Sequence, residues 1–419
     1  MAGALEGIRV LEFSEIIAAP TTGMMLADMG ADVIKVEPPW GESWRLNLQL
    51  VPLESRGFIA VNRGKRSLPL DLTKPEAREI AHLLVRDMDV VLVNYRPDVP
   101  ARLGIDYETL AAINPRLVYG EATAFGKRGP HAERPGYDII AQAVSGLMTN
   151  DQKFVDGVPS LYQATPFVDF FTGSSLASGV IAALFARERT GRGQKVETSL
   201  LVNALALQGL RSIWIEAVDA ERQGDFVGDV QRMREERRPI GEAVDRYNAF
   251  QGRKAGNQRY YYRTYATADG AIAVGCLSTA LRKRLLDILG IDGDGVLPNT
   301  GPSDADEERM RQAVAVIAEK TTAEWVAAFD VAKVPVGPLQ FAEELWEDPQ
   351  VVANDMAVEV EHSLIGKVRM ASSFTRMSDT QADLRVASPA LGEHTDTILS
   401  DLDYSESQIK ALRRSGVTA

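Results

Sequence analysis

Asp169 stands at the head of a long apolar segment, where a carboxylate can serve either structure or chemistry. From Phe170 to Phe185 the residues are apolar or small, and Ala186-Arg187-Glu188-Arg189 closes the run. The run is too short to span a bilayer and predicts a buried core helix, with Gly191 and Gly193 supplying its stop. Asp169 then falls at or near the N-cap, where free backbone N–H groups and the helix dipole favour negative charge. One reading is a simple cap, a common role for aspartate. The other is an ionised nucleophile whose neighbouring N–H groups are ready for an oxyanion. The rest of the chain has to decide between them.

Much other chemistry is set aside by absence. His82, His131, His362 and His394 are scattered and make no metal-ligand pair at helical spacing, so no metal is expected. Cys276 is the only cysteine, which excludes an intrachain disulfide and a cysteine-based zinc site. Asp138 and Asp169 could form a carboxylate pair, but nothing else suggests a carbohydrate site. Gly173-Ser174-Ser175 fails the spacing of a nucleophile elbow. Phe125-Gly126-Lys127-Arg128-Gly129-Pro130 lacks the spacing and the hydroxyl of a Walker loop.

Basic groups instead collect in turns after predicted strands: Arg63, Lys65 and Arg66; Arg96; Lys127 and Arg128; Arg134. In an open α/β sheet, ligands bind beyond the carboxyl ends of the strands, so these positions point to a phosphorylated ligand. Scattered surface charge is the alternative.

The elements that position these residues alternate. Ile8 to Phe13 reads as a strand, Thr21 to Met29 as a helix after the turn at Ala18-Ala19-Pro20, and Asp32 to Glu37 as a second strand. This is a βαβ unit and implies a parallel sheet. It lacks the G-x-G-x-x-G turn of dinucleotide sites. Further strands are expected at Leu68 to Leu72, Val90 to Val93, Leu117 to Ala122 and Gln194 to Thr198. Helices are expected at Lys74 to Asp87, Ile139 to Met148 and Leu200 to Val218. Asp219 to Lys254, highly charged and broken by Gly and Pro, reads as a linker into a second domain. That domain opens with Arg259-Tyr260-Tyr261-Tyr262-Arg263 and a hairpin turning at Asp269-Gly270. Gly290 to Asp306 reads as a loop within it.

At 419 residues the chain has room for two domains, and its 45% hydrophobic and 25% charged composition is that of a soluble globular protein. The net charge of -12 argues against general nucleic-acid or membrane-surface binding. The opening MAGALEGIRVLEFSE has neither a basic leader nor an apolar core, and a cytoplasmic enzyme is expected.

Leu5 to Leu11, Leu26 to Glu37, Asn62 to Ser67, Asn94 to Pro97, Ile113 to Leu117, Arg134 to Asp138, Thr190 to Gln194 and Leu391 to Thr395 together form an ordered series of motifs. In these the chain resembles the family III CoA-transferases (the CaiB–BaiF group) along nearly its whole length. Val168-Asp169-Phe170-Phe171-Thr172-Gly173 matches the segment of that family's catalytic aspartate, which favours the nucleophile reading of Asp169. The resemblance implies an α/β fold with a large doubly wound parallel-sheet domain built from both chain ends and a smaller inserted α+β domain. The boundaries expected are 1–222, 223–335 and 336–419. It also implies an interlocked homodimer with the active site between domains.

Coenzyme A, as the acyl-CoA substrate, is the implied ligand, and a small carboxylic acid the second substrate. Ile16, Ile17 and Ala18 would line the thiol end. Lys65, Arg66, Asn94, Tyr95, Arg96, Arg102 and Arg134 would contact the rest of CoA, and Tyr137 and Asp138 would support catalysis. The glycine-rich loop of formyl-CoA transferases has no counterpart; the Gln258 to Arg263 segment is expected to face that space, which argues for an acid other than oxalate. An α-methylacyl-CoA racemase is the rival within the fold. Relatives of that kind carry histidine in the segment around Tyr137, and a phenol, with an ordinary pKa near ~10, is a poor base at neutral pH. A non-catalytic CoA-binding subunit is a third reading, disfavoured by the retention of Asp169.

Overall fold

The computed structural model describes residues 3–151, 153–161, 165–250, 260–296, 304–381, 384 and 386–419. The chain folds into two compact units, Met1–Ala217 with Ala353–Ala419, and Val218–Val352. The first is built on six parallel strands: β1 (Arg9–Phe13), β2 (Asp32–Glu37), β3 (Lys65–Pro69), β4 (Val90–Val93), β5 (Val118–Thr123) and β6 (Lys195–Ser199). Their order across the sheet is β6-β5-β4-β1-β2-β3. Strand order therefore reverses between β1 and β4, which makes this a doubly wound sheet with its crevice at their carboxyl ends.

Successive side chains on each strand enter opposite cores, as the period of two demands. Leu11, Phe13, Ile34, Val91 and Val93 pack with Ile80, Leu84 and Leu110 on one face. Val10, Val33, Val90, Leu92 and Val118 pack with Leu26, Leu176 and Val180 on the other. That second face carries helices α1 (Ala18–Asp28) and α3 (Phe167–Thr190). Here α2 denotes Asp138–Ser145 and α4 denotes Leu200–Leu207. Among the described residues α3 alone is long and apolar enough, by length and composition, to cross a membrane. It runs beyond the apolar segment to Thr190, where Gly191 takes the left-handed conformation that ends it.

Both chain ends build this unit. Ile398, Leu399 and Ile409 join the first core. Arg63 donates to the carbonyls of Ala371 and Ser372, and Arg45 to that of Pro389. The Thr418 hydroxyl donates to Pro69 O at 2.6 Å.

Three expectations are corrected. Lys65 and Arg66 open strand β3 rather than forming a turn, because β3 pairs with β2 from Lys65 onward. The helix expected over Leu200 to Val218 stops at Leu207; Gly209 at φ +56° breaks it, and a new helix starts at Glu216. The supposed linker is mostly helical, Glu216–Glu235 and Ile240–Phe250. Its charges pair along and between these helices, Asp229 with Arg232 and Arg246, and Glu242 with Arg238.

The second unit holds an antiparallel sheet of Tyr262–Ala266, Ala271–Gly275 and Val336–Pro338. Val336–Pro338 thus belongs to this sheet, and the unit extends to Val352. Tyr260 and Tyr261 are buried in its core with Trp325 and Phe329, whereas Tyr262 is exposed. The first two are therefore packing residues. Gln258 and Arg259 lie outside the described residues, as does part of the Gly290 to Asp306 loop.

Candidate active site

The site begins where β1 hands the chain to α1. Ile16 sits there at φ +69°, a left-handed conformation that is costly for a β-branched residue. It is held from two sides. The Ile16 N–H donates to Glu42 Oε2 at 2.7 Å. The Asn94 side chain, just past β4, accepts from Glu15 N and donates to Glu15 O at 2.9 and 2.8 Å. Asn94 therefore joins the ends of β1 and β4 across the crevice, with both its amide oxygen and its amide nitrogen engaged in doing so.

Glu42 is itself fixed by a buried charge cluster. Lys35 Nζ lies 3.1 Å from both Glu12 and Glu42 and donates to Ser14 O at 2.8 Å. Burial opposes the lysine's charge, but Glu42 and Glu12 outweigh it and hold the ammonium above its usual range. Lys65 meets Glu12 at 2.8 Å and also donates to Pro20 O and Asn62 Oδ1. There burial dominates and lowers its pKa to about 8.

Asp169 is the third residue of α3, inside the first turn rather than at the cap. Asp138 is what caps the helix: its Oδ2 accepts from Val168 N at 2.8 Å and Asp169 N at 3.1 Å. The N–H groups of Phe167 and Phe170 bond to Thr165 O and Pro166 O. The helix start therefore has no spare donor for an oxyanion, which corrects the role expected of those N–H groups. The Asp169 carboxylate itself has no hydrogen-bond or ion-pair partner among the described residues. Burial, and then the Asp138 charge beside it, raise its pKa to about 7. Gly173, one turn on, lets α3 lie against α1; a Cβ there would fall 2.4 Å from Ala18 O.

Two cavities meet at Ile16, Ile17, Tyr137 and Asp169. One, of about 430 Å³, extends along the strand ends past Asn94, Tyr95 and Arg96, Ala122 to Ala124, and Pro135-Gly136. It lies at the switch point, where open α/β sheets place their ligands. The other, of about 480 Å³, is lined by Trp44, Ile139, Leu161 and Pro166 together with Ser43, Asn47 and Asp138. An unpaired carboxylate at the junction of two cavities is placed to act on a bond between two parts of a substrate.

The description of CoA-transferase family III matches residues 5–395. The chain belongs to this family. That makes it an enzyme of the CoA-transferase type. It is 32% identical over 423 residues to a formyl-CoA:oxalate CoA-transferase of Afipia carboxidovorans, covering 99% of this chain and 98% of the relative. It is 32% identical over 424 residues to a succinate–glutarate CoA-transferase of Agrobacterium fabrum, covering 96% of each. A CaiB/BaiF family protein from Brucella suis shares its fold at TM-score 0.73 and 29% identity, over 96% of this chain and all of that one.

Of the site residues expected from sequence, Ile16, Ile17, Ala18, Asn94, Tyr95, Arg96, Tyr137, Asp138 and Asp169 come together around the two cavities. Four do not. Lys65 is fully buried in the charge cluster, with no surface for a ligand. Arg66 pairs with Asp32 at the amino end of the sheet, opposite the crevice. Arg102 faces solvent near Asp98, 3.9 Å away, and Arg134 is exposed on the loop before α2; neither lines these two cavities. Glu42, Lys35 and Trp44 were missed. Charged residues alternating inside otherwise apolar strands, Glu12 in RVLEF and Lys35 in DVIKVE, are the signal that a buried ion cluster was present.

Proposed function

We propose that the enzyme moves CoA from an acyl-CoA donor to a carboxylic acid through covalent attachment at Asp169. The observation that carries this reading is the Asp169 carboxylate, without a partner among the described residues and lying where the two cavities join. The carboxylate attacks the acyl-CoA carbonyl, forming a mixed anhydride and releasing CoA thiolate. The thiolate attacks the aspartyl carbonyl, giving an aspartyl-CoA thioester and the donor acid as its carboxylate. The acceptor carboxylate attacks that thioester in turn, and the returning thiolate makes the new acyl-CoA and restores Asp169. Each step exchanges one activated acyl bond for another.

Asp138 fixes the helix turn that carries the nucleophile, and Tyr137 stands at the junction beside it. The cavity beyond Asn94, Tyr95 and Arg96 suits the CoA arm, with the Arg96 guanidinium near its phosphates. Exposed Ile213 and Trp214 support burial by a second chain, as an interlocked homodimer would provide.

Asp169→Ala is expected to abolish transfer while CoA still binds. Wild type given donor alone should gain a CoA adduct on the peptide containing Asp169, released by hydroxylamine. A racemase would instead exchange the α-hydrogen of its substrate with solvent deuterium; that exchange, without adduct or acceptor dependence, would refute the transferase reading.

A further inference from the structure

The cavity beside Trp44 says what kind of acid the enzyme handles. Its walls are Ile16, Ile17, Trp44, Ile139, Leu161 and Pro166, and the charged side chains among its described lining are both acidic, Asp138 and Asp169. Among the described lining of the two cavities the one cation, Arg96, belongs to the other cavity. We infer that the acyl group seated here is an apolar monocarboxylate of branched or aromatic type, rather than a dicarboxylate such as oxalate, succinate or glutarate. The inference rests on the transferase reading, because it assigns this cavity to the acyl group and the other to CoA.

Two physical arguments converge. The first is charge. The distal carboxylate of a succinyl or glutaryl group would meet no cation among the described lining, whose neutral polar side chains are Ser43, Asn47 and Tyr137. An unpaired buried charge is strongly disfavoured, and Asp138 adds like-charge repulsion. Burial, and then the Asp138 charge, already raise the pKa of Asp169, so the site is poor at holding another anion. The second is volume. About 480 Å³ is ample for a drug-sized apolar ligand, and a two-carbon acid would leave most of it empty. Each methylene buried there gains roughly fourfold in binding, so branched and aromatic chains are favoured over short ones. Trp44 offers the broadest apolar face, and its ring is backed by Gly57, where a Cβ would fall 2.4 Å from the indole nitrogen.

The test loads the enzyme with isovaleryl-CoA or succinyl-CoA and unloads it with isovalerate, 3-phenylpropionate, oxalate, succinate or glutarate. The aspartyl-CoA thioester and the product esters are followed by mass spectrometry. The apolar acids should exceed the dicarboxylates in kcat/KM by about tenfold or more. Ile139→Arg, which adds a cation at a half-exposed position of the wall, should narrow that ratio by raising dicarboxylate use. A gain of activity cannot be produced by misfolding. If the thioester forms on Asp169 but dicarboxylates load or unload it as well as the apolar acids, the inference is overturned and the transferase reading stands. If no thioester forms with either donor, the transferase reading itself fails, and the inference falls with it.

Discussion

Asp169→Asn should stabilise the fold in a pH-dependent way while it abolishes transfer. An aspartate titrates at 3.8 when unperturbed and at about 7 in this fold, chiefly through burial. Between those values the folded state binds more protons than the unfolded one, so stability falls as pH rises through the window. At ~1.4 kcal/mol per pH unit, the ionised carboxylate costs about 4 kcal/mol at pH 8 and about 1.5 kcal/mol at pH 5. The asparagine amide is neutral but also buried, at a cost of about 1–3 kcal/mol when unpaired. That cost does not change with pH. The cleanest readout is therefore the difference between pH 5 and pH 8, over which wild type should lose about 2.5 kcal/mol more than the variant. Hydrogen exchange on peptides from α3 measures this within the sheet unit and leaves the inserted unit out of the comparison. Equal losses in the two proteins would refute the reasoning, since the carboxylate would then carry no electrostatic burden.

Other outcomes follow from the same geometry. Lys65→Ala should destabilise the sheet unit by about 3–5 kcal/mol in urea denaturation, because it leaves Glu12 buried beside one cation instead of two. A raised KM for acyl-CoA with unchanged stability would instead return Lys65 to the ligand. Arg96→Ala should raise KM for the CoA donor several-fold with a smaller change in kcat, as loss of uniform binding does, measured by steady-state kinetics. Gly173→Ala should cost on the order of 1–3 kcal/mol, read from the thermal midpoint, since its methyl meets the Ala18 carbonyl and forces α1 and α3 apart.

The sheet was legible because its strands are short apolar runs at βα spacing. Val90 to Val93 and Asp32 to Glu37 were located to the residue, and the glycine that stops α3 was correctly read. Burial of charge was not legible. Lys65 and Arg66 side by side look solvated, and the carboxylates that bury Lys65 or pair Arg66 come from β1 and β2. The charged segment Asp219 to Lys254 looked like a linker because helix-forming pairs and loop charge share one composition. Asp138 capping the helix of Asp169 joins residues 31 apart in sequence, a relation no local pattern displays. Asp169 itself stood out only through the family resemblance, since an aspartate in a first helical turn is ordinary.

The carbonyls of Ala371, Ser372 and Pro389 that receive Arg63 and Arg45 bear on how the chain is made. Both guanidiniums emerge from the ribosome early, yet their acceptors follow the whole inserted unit Val218–Val352. At ~5–20 residues per second, translating that insert takes on the order of ten seconds. Throughout this delay Arg63 keeps its Asp28 partner and Arg45 its Glu37 and Glu54 partners, but both lack their later carbonyl acceptors, and the edge strand β3 lacks its closing segment. Slower translation through the insert lengthens the time for which that strand edge stays open to pairing with another chain.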